Sequence, residues 1–184
     1  KKYIKDGVIN PYARMISITY PKTPDSFWNE FNNLIIKVHL DLSVLQYETK
    51  KDMTFDAWVT GIEKRGYLSS DKVTFSIKPN QDMYIRIFDL VDDKVYPIYP
   101  NAAEQNQLFM KQREYNFPTA NSIDYQFEFE GNKESHNFVI LFLKEDIPYT
   151  STSTDGKDLM DWMFQIPPHQ RLIKTYSFEV FKVK

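Results

Sequence analysis

The sequence predicts an all-β, mainly antiparallel fold: a β-sandwich of about nine strands with two short helices, or as the alternative an open β-barrel. Three observations predict it. Successive segments alternate apolar and polar residues with a period of two. Turn-forming residues separate them, without the helix-length spacers that parallel βαβ units require. Aromatic residues, which sheets favour, make up 16% of the chain against only 5 glycines. The 184 residues read as a single β-rich domain, with 1–55 as an N-terminal extension or second sheet and 56–184 as the core.

The first strand falls near 16–20, where Ile16 and Ile18 stand between Pro11 and Pro21. Thr23-Pro24-Asp25 has the chemistry of a helix start, and Phe27, Phe31 and Leu34 follow at i, i+4 and i+7. That pattern predicts a short helix docked over a sheet edge. Residues 34–47 predict one long strand, with Leu34, Ile36, Val38, Leu40, Leu42 and Val44 on one parity. His39 then lies on its wet face between Lys37 and Asp41, a solvated position rather than a metal ligand set. Met53, Phe55, Ala57 and Val59 mark a strand over 53–60, and Glu63-Lys64-Arg65 between Gly61 and Gly66 reads as a hairpin tip.

Residues 67–101 organise the rest. Val73, Phe75 and Ile77 give a strand with one dry face, which Pro79-Asn80 ends. Met83, Ile85 and Ile87 alternate with Tyr84, Arg86 and Phe88, a strand largely apolar on both faces and hence central. Asp92-Asp93-Lys94 turns the chain into a short strand at 95–99, which Pro100-Asn101 closes. This order resembles the bacterial family catalogued as domain of unknown function 4384. The resemblance is carried by Tyr84-Ile85-Arg86-Ile87-Phe88, by Asp92-Asp93-Lys94 and by Pro97-Ile98-Tyr99-Pro100-Asn101, and extends over about residues 67–150. Asp93 stands where the family usually has a turn glycine. The resemblance implies no activity. It implies a cell-envelope setting, lipoprotein-associated or periplasmic, with the cytoplasm as the alternative. The start at Lys1-Lys2 without methionine is what removal of a signal peptide or lipid anchor would leave.

Residues 102–118 form a long polar and aromatic excursion, and loops of that size are disproportionately functional. Residues 123–130 alternate again, with Ile123, Tyr125, Phe127 and Phe129 inward and Glu128 and Glu130 outward as a soluble edge rather than a paired-carboxylate site. Phe138 to Leu143 is apolar throughout, a strand near 137–144 buried on both faces, and His136 precedes it. The hydroxyl-rich run 150–156 lacks the glycines and lysine of a phosphate loop. It supplies instead a cap at Thr154 or Asp155 for a second helix, which Pro167-Pro168 stops. Tyr176, Phe178 and Val180 face inward on a last strand at 174–182.

Composition excludes several functions. A net charge of −2 with interspersed signs gives no nucleic-acid footprint. The absence of cysteine removes disulfides and thiolate metal sites. No apolar run reaches membrane-spanning length, and no motif for a catalytic nucleophile, metal or cofactor is present. The expected function is a non-catalytic interaction or binding module of a larger bacterial cell-envelope protein, recognising a protein or a saccharide. A hydrolase whose site assembles only in space, around His39, His136 or His169 with a carboxylate and a hydroxyl, and a structural spacer domain stand as alternatives. Oligomeric state stays open. The expected binding surface is the 95–117 region, where Tyr96, Tyr99, Phe109 and Tyr115 supply rigid rings and Asn101, Asn106, Gln107 and Gln112 supply adaptable amides.

Overall fold

The computed structural model describes residues 4–183 except 6–7, 10–12, 20–24, 32, 38–40, 47–49, 63–65 and 128–130. The chain divides into two compact units, Lys1–Lys51 and Asp52–Lys184.

Among its described residues the first unit holds three antiparallel strand pairs: β1 (Ile4–Lys5) with β2 (Val8–Ile9), β3 (Ala13–Thr19) with β6 (Asp41–Gln46), and β4 (Asp25–Trp28) with β5 (Leu34–Lys37). The helix expected from Phe27, Phe31 and Leu34 is therefore a β-hairpin. Turn chemistry overrides the apolar spacing here. The Asn29 side chain accepts hydrogen bonds from the backbone of Phe31 and Asn33, and the Asn29 N–H donates to the Asn33 carbonyl. The three apolar residues are exposed rather than aligned on a docked stripe. The single long strand expected over 34–47 is instead two, β5 and β6, with different partners. His39 lies outside the described residues.

The second unit is a β-sandwich. Its larger sheet has the order β11-β10-β13-β14-β8, built from β8 (Gly66–Leu68), β10 (Tyr84–Val91), β11 (Lys94–Tyr99), β13 (Lys133–Leu143) and β14 (Arg171–Phe181). All its pairings are antiparallel except that of β8 with β14. The smaller sheet is antiparallel with the order β12-β9-β7, from β7 (Ala57–Thr60), β9 (Phe75–Pro79) and β12 (Tyr115–Phe117). Neither sheet closes into a barrel. The hairpin tip expected at Glu63-Lys64-Arg65 lies outside the described residues, and β7 and β8 belong to different sheets and do not pair. For the same reason β9 and β10 do not pair, whereas β10 and β11 form the expected hairpin. Its two turn residues, Asp92 and Asp93, have φ of 47° and 64°. Both positions need left-handed backbone, which aspartate tolerates better than most side chains.

The period-two pattern divides the core into two layers. Ile85, Ile87, Phe138, Ile140, Phe142 and Phe178 of the larger sheet pack against Ala57, Phe75, Ile77 and Phe117 of the smaller one. The alternate residues Phe88, Val139, Leu141 and Leu143 face α1 (Gly156–Gln165), which buries Leu159 and Met163 one turn apart. Asp155 caps α1 by accepting from the Lys157 N–H at 2.8 Å. The Lys174 ammonium clamps the two sheets together, donating to the Ala57 carbonyl and lying 2.9 Å from Asp56.

Two further expectations are corrected. Residues 102–118 contain a strand, β12, and Phe109 bridges Met83, so much of the excursion is pinned to the sheets. The strand expected at 123–130 is reduced to one bridge between Tyr125 and Val73 among the described residues, although Phe127 does turn inward.

Candidate functional site

Strand β10 positions the polar chemistry of the second unit. Asp89 follows the parity of Ile85 and Ile87 into the sandwich, whereas Arg86 follows Tyr84 and Phe88 toward the helix face. Each buried charge has its own cavity, one on either side of the β10–β11 hairpin.

On the helix face, Arg86 is 3% exposed. One terminal nitrogen donates to the Ile85 carbonyl and to Asn106 Oδ1, each at 2.8 Å, and the other forms an ion pair with Asp146. Asn106 Nδ2 closes the ring by donating to Asp146 Oδ2 at 2.8 Å. This network floors a cleft of about 460 Å³ whose walls include Phe88, Pro97, Tyr99, Pro100, Pro148, Tyr149 and Ser151. Tyr149 packs edge-on against Phe88 and Trp162. Its hydroxyl is buried without a hydrogen-bond partner. Arg86 and Asp146 neutralise each other, so the cleft presents directional hydrogen-bonding groups without net charge.

On the sandwich face, His136 Nδ1 lies 2.7 Å from Asp89 Oδ2, and His136 Nε2 lies 3.2 Å from Glu134 Oε2. The imidazole stacks on Phe178 and is flanked by Phe127. A hydrolase would need a hydroxyl nucleophile at the free imidazole nitrogen. That nitrogen faces a carboxylate instead. His169 lies in the turn that follows α1. Among the described residues no group of His, Asp and Glu is arranged to hold a metal ion.

The eight residues expected to form one binding surface are dispersed. Tyr99 and Phe109 are core residues, 1% and 0% exposed, joined edge-on to each other and packed on Phe117. Tyr115 is half-buried against Phe109, and its hydroxyl accepts from the Met110 N–H. Asn101 is a turn-maker: its Oδ1 accepts from the backbone of Ala103 and Glu104, and its Nδ2 donates to the Ile98 carbonyl. Tyr96, Gln107 and Gln112 are exposed, and Gln112 occupies a turn with φ of 62°. Only Tyr99 and Asn106 line the Arg86 cleft. Tyr99 and Phe109 turn inward because an aromatic-rich segment pinned to the sheets gains more by burial than by display.

Sequence reasoning missed Arg86, Asp146 and Tyr149. A usable signal existed for the first: a lone arginine in a strand apolar on both faces must have a partner. Nothing local identifies that partner as Asp146, 60 residues away.

Residues 67–145 match the family model described as Domain of unknown function (DUF4384). This is the family that the Tyr84–Asn101 motif resembles. The matched segment includes Arg86, Asn106, Asp89 and His136, and stops one residue short of Asp146; α1 and β14 lie beyond it. Asp93 gives the hairpin of the matched segment a left-handed turn without glycine. No curated protein matches the chain.

Proposed function

We propose that the second unit is a non-catalytic recognition module and that the Arg86 cleft holds a neutral saccharide. The observation that carries this reading is the closed Arg86–Asn106–Asp146 ring at the base of an aromatic and proline-walled cleft. Sugars offer vicinal hydroxyls, which pair with planar carboxylate, amide and guanidinium groups, and C–H faces, which pack on rings. The cleft's volume lies within the usual range for small-ligand sites, roughly 300–1,000 Å³. Charge compensation within the ring favours an uncharged ligand over an acidic or basic one.

The reading is tested by calorimetric titration of the whole chain with a panel of neutral oligosaccharides. Ser151→Trp, an exposed position at the cleft wall, is expected to abolish binding without unfolding the protein. Asp146→Asn is expected to weaken it about tenfold, the loss of one charged hydrogen bond. Absence of saccharide binding, or binding untouched by Ser151→Trp, overturns the proposal. Capture of an uncharged peptide in the same cleft would transfer the site to a protein partner. Placement in a bacterial cell envelope belongs to the same proposal and rests on the family resemblance. Fractionation of the native source checks it, and recovery in the cytoplasm alone counts against it.

A further inference from the structure

We infer that the second cavity, on the opposite face of the β10–β11 hairpin, binds a primary alkylammonium group seated on Asp89. The cavity measures about 380 Å³ and is walled by Ile98, Tyr125, Phe127 and Phe138, with Asp89 in its lining. Asp89 is 7% exposed, and only its Oδ2 is engaged, by His136. Its Oδ1 is buried without a hydrogen-bond partner. A buried acceptor left unpaired is costly, and a ligand donor entering this cavity would satisfy it.

The charge around the cavity selects a cation over a neutral alcohol. Asp89 and Glu134 flank one imidazole, so that cluster stays net negative whichever protonation state His136 takes. A second carboxylate, Glu104, is 1% exposed behind the same wall. It accepts from the Tyr125 hydroxyl at 2.6 Å, from Asn101 Nδ2 at 2.9 Å and from Thr119, and no Lys or Arg among the described residues pairs with it. Asp124, also in the lining, is already paired with Lys72 at 2.6 Å. The field beside these buried carboxylates is therefore negative, and aromatic residues in the wall are the kind that attract an ammonium. The aliphatic and aromatic lining suits the hydrocarbon stem that carries the charge. A free aliphatic amine and the side chain of a lysine on another protein share this chemistry.

Amide-resolved NMR titration of the full chain with n-butylammonium, n-butanol and butyrate tests the inference. Butylammonium is expected to shift the resonances of Asp89, His136 and Phe127 in a saturable way. Butanol is expected to bind at least about tenfold more weakly, and butyrate not at all. Nα-acetyl-lysine amide forms a second arm: if it binds as butylammonium does, the ligand is a lysine side chain, and if only butylammonium binds, it is a small free amine. Asp89→Asn is expected to abolish the preference for the cation. Ile98→Trp, which fills the cavity while leaving Asp89 and His136 intact, is expected to abolish binding even if Asp89→Asn fails to fold. Equal binding of butanol and butylammonium, no binding of butylammonium, or butylammonium binding unchanged by Ile98→Trp overturns the inference.

Discussion

His136 and Asp89 form a 2.7 Å pair inside the sandwich, each less than one-tenth exposed, on neighbouring strands β13 and β10. The pair is diagonal, since the residue directly opposite Asp89 is Phe138. A carboxylate at this depth depends on its partner. Removing the imidazole by His136→Leu should therefore cost about 3 kcal/mol, the penalty of stranding a buried charge. The double replacement Asp89→Leu/His136→Leu should recover much of that loss, because no charge is left behind. Urea midpoints of the parent, the single variant and the double variant measure this. A single His136→Leu variant as stable as the parent would show that the pair contributes nothing.

Two tyrosines make the fold sensitive to alkali. Burial raises the phenols of Tyr99 and Tyr125 above their ordinary value, and the Glu104 carboxylate pushes Tyr125 further in the same direction. With folded values above the unfolded one of about 10, the folded chain keeps protons that the unfolded chain releases. Their contribution is complete below about pH 10 and is lost as pH rises beyond it. Chemical denaturation at pH 9 and pH 11 should show the decline, and tyrosinate absorbance should lag for these two phenols until unfolding. Tyr125→Phe should flatten the slope. A slope unchanged in that variant would remove Tyr125 from the account.

The parts of this fold that could be read from sequence are those governed by local chemistry. Alternation identified β14, and segments apolar on both faces identified β10 and β13, because each carries its own record of which side chains face a core. The Asp155 cap and the Leu159–Met163 spacing did the same for α1. The Phe27–Phe31–Leu34 stripe misled because an asparagine turn competes for the same residues, and turn hydrogen bonds prevailed over spacing. Tyr99 and Phe109 were placed on the surface for another reason: a loop's aromatic content says how much area it carries, not which way that area faces. The two buried charges of β10 stand in the sequence, yet nothing there pairs them: His136 reaches Asp89 through the pairing of β13 with β10, and Asp146 reaches Arg86 from the loop after β13.

The junction of α1 with the β10–β11 turn gives opposite expectations for losing one glycine and for gaining another. Gly156 is buried, its N–H donates to the Asp93 carbonyl at 2.7 Å, and an added Cβ would lie 2.9 Å from that oxygen. Gly156→Ala should thus destabilise the domain by about 1–3 kcal/mol, since neighbouring backbone must move. Asp93→Gly should be neutral or stabilising by up to about 1 kcal/mol, because φ of 64° suits glycine better. Thermal melts of both variants decide. A loss of stability in Asp93→Gly would mean that the aspartate side chain itself holds the turn.

The Arg86–Asp146 pair is asymmetric, and the asymmetry predicts unequal costs for breaking it from either side. The arginine side chain is 4% exposed, whereas the aspartate side chain is 46% exposed. Arg86→Met leaves Asp146 able to turn to water, and methionine fills much of the vacated space, so the expected cost is about 1 kcal/mol. Asp146→Leu strands a guanidinium in the wall of the sheet with only Asn106 and the Ile85 carbonyl as acceptors. Its cost should approach about 3 kcal/mol, near the lower end for an uncompensated buried charge because part of the site is open. Arg86→Lys should fall between them: one ammonium cannot reproduce the forked contacts to Asn106, Ile85 and Asp146. Urea denaturation ranks the three variants. If Arg86→Met proved the most damaging, the arginine would be acting chiefly as packing, and the hydrogen-bonded ring would lose its standing as the organiser of the cleft.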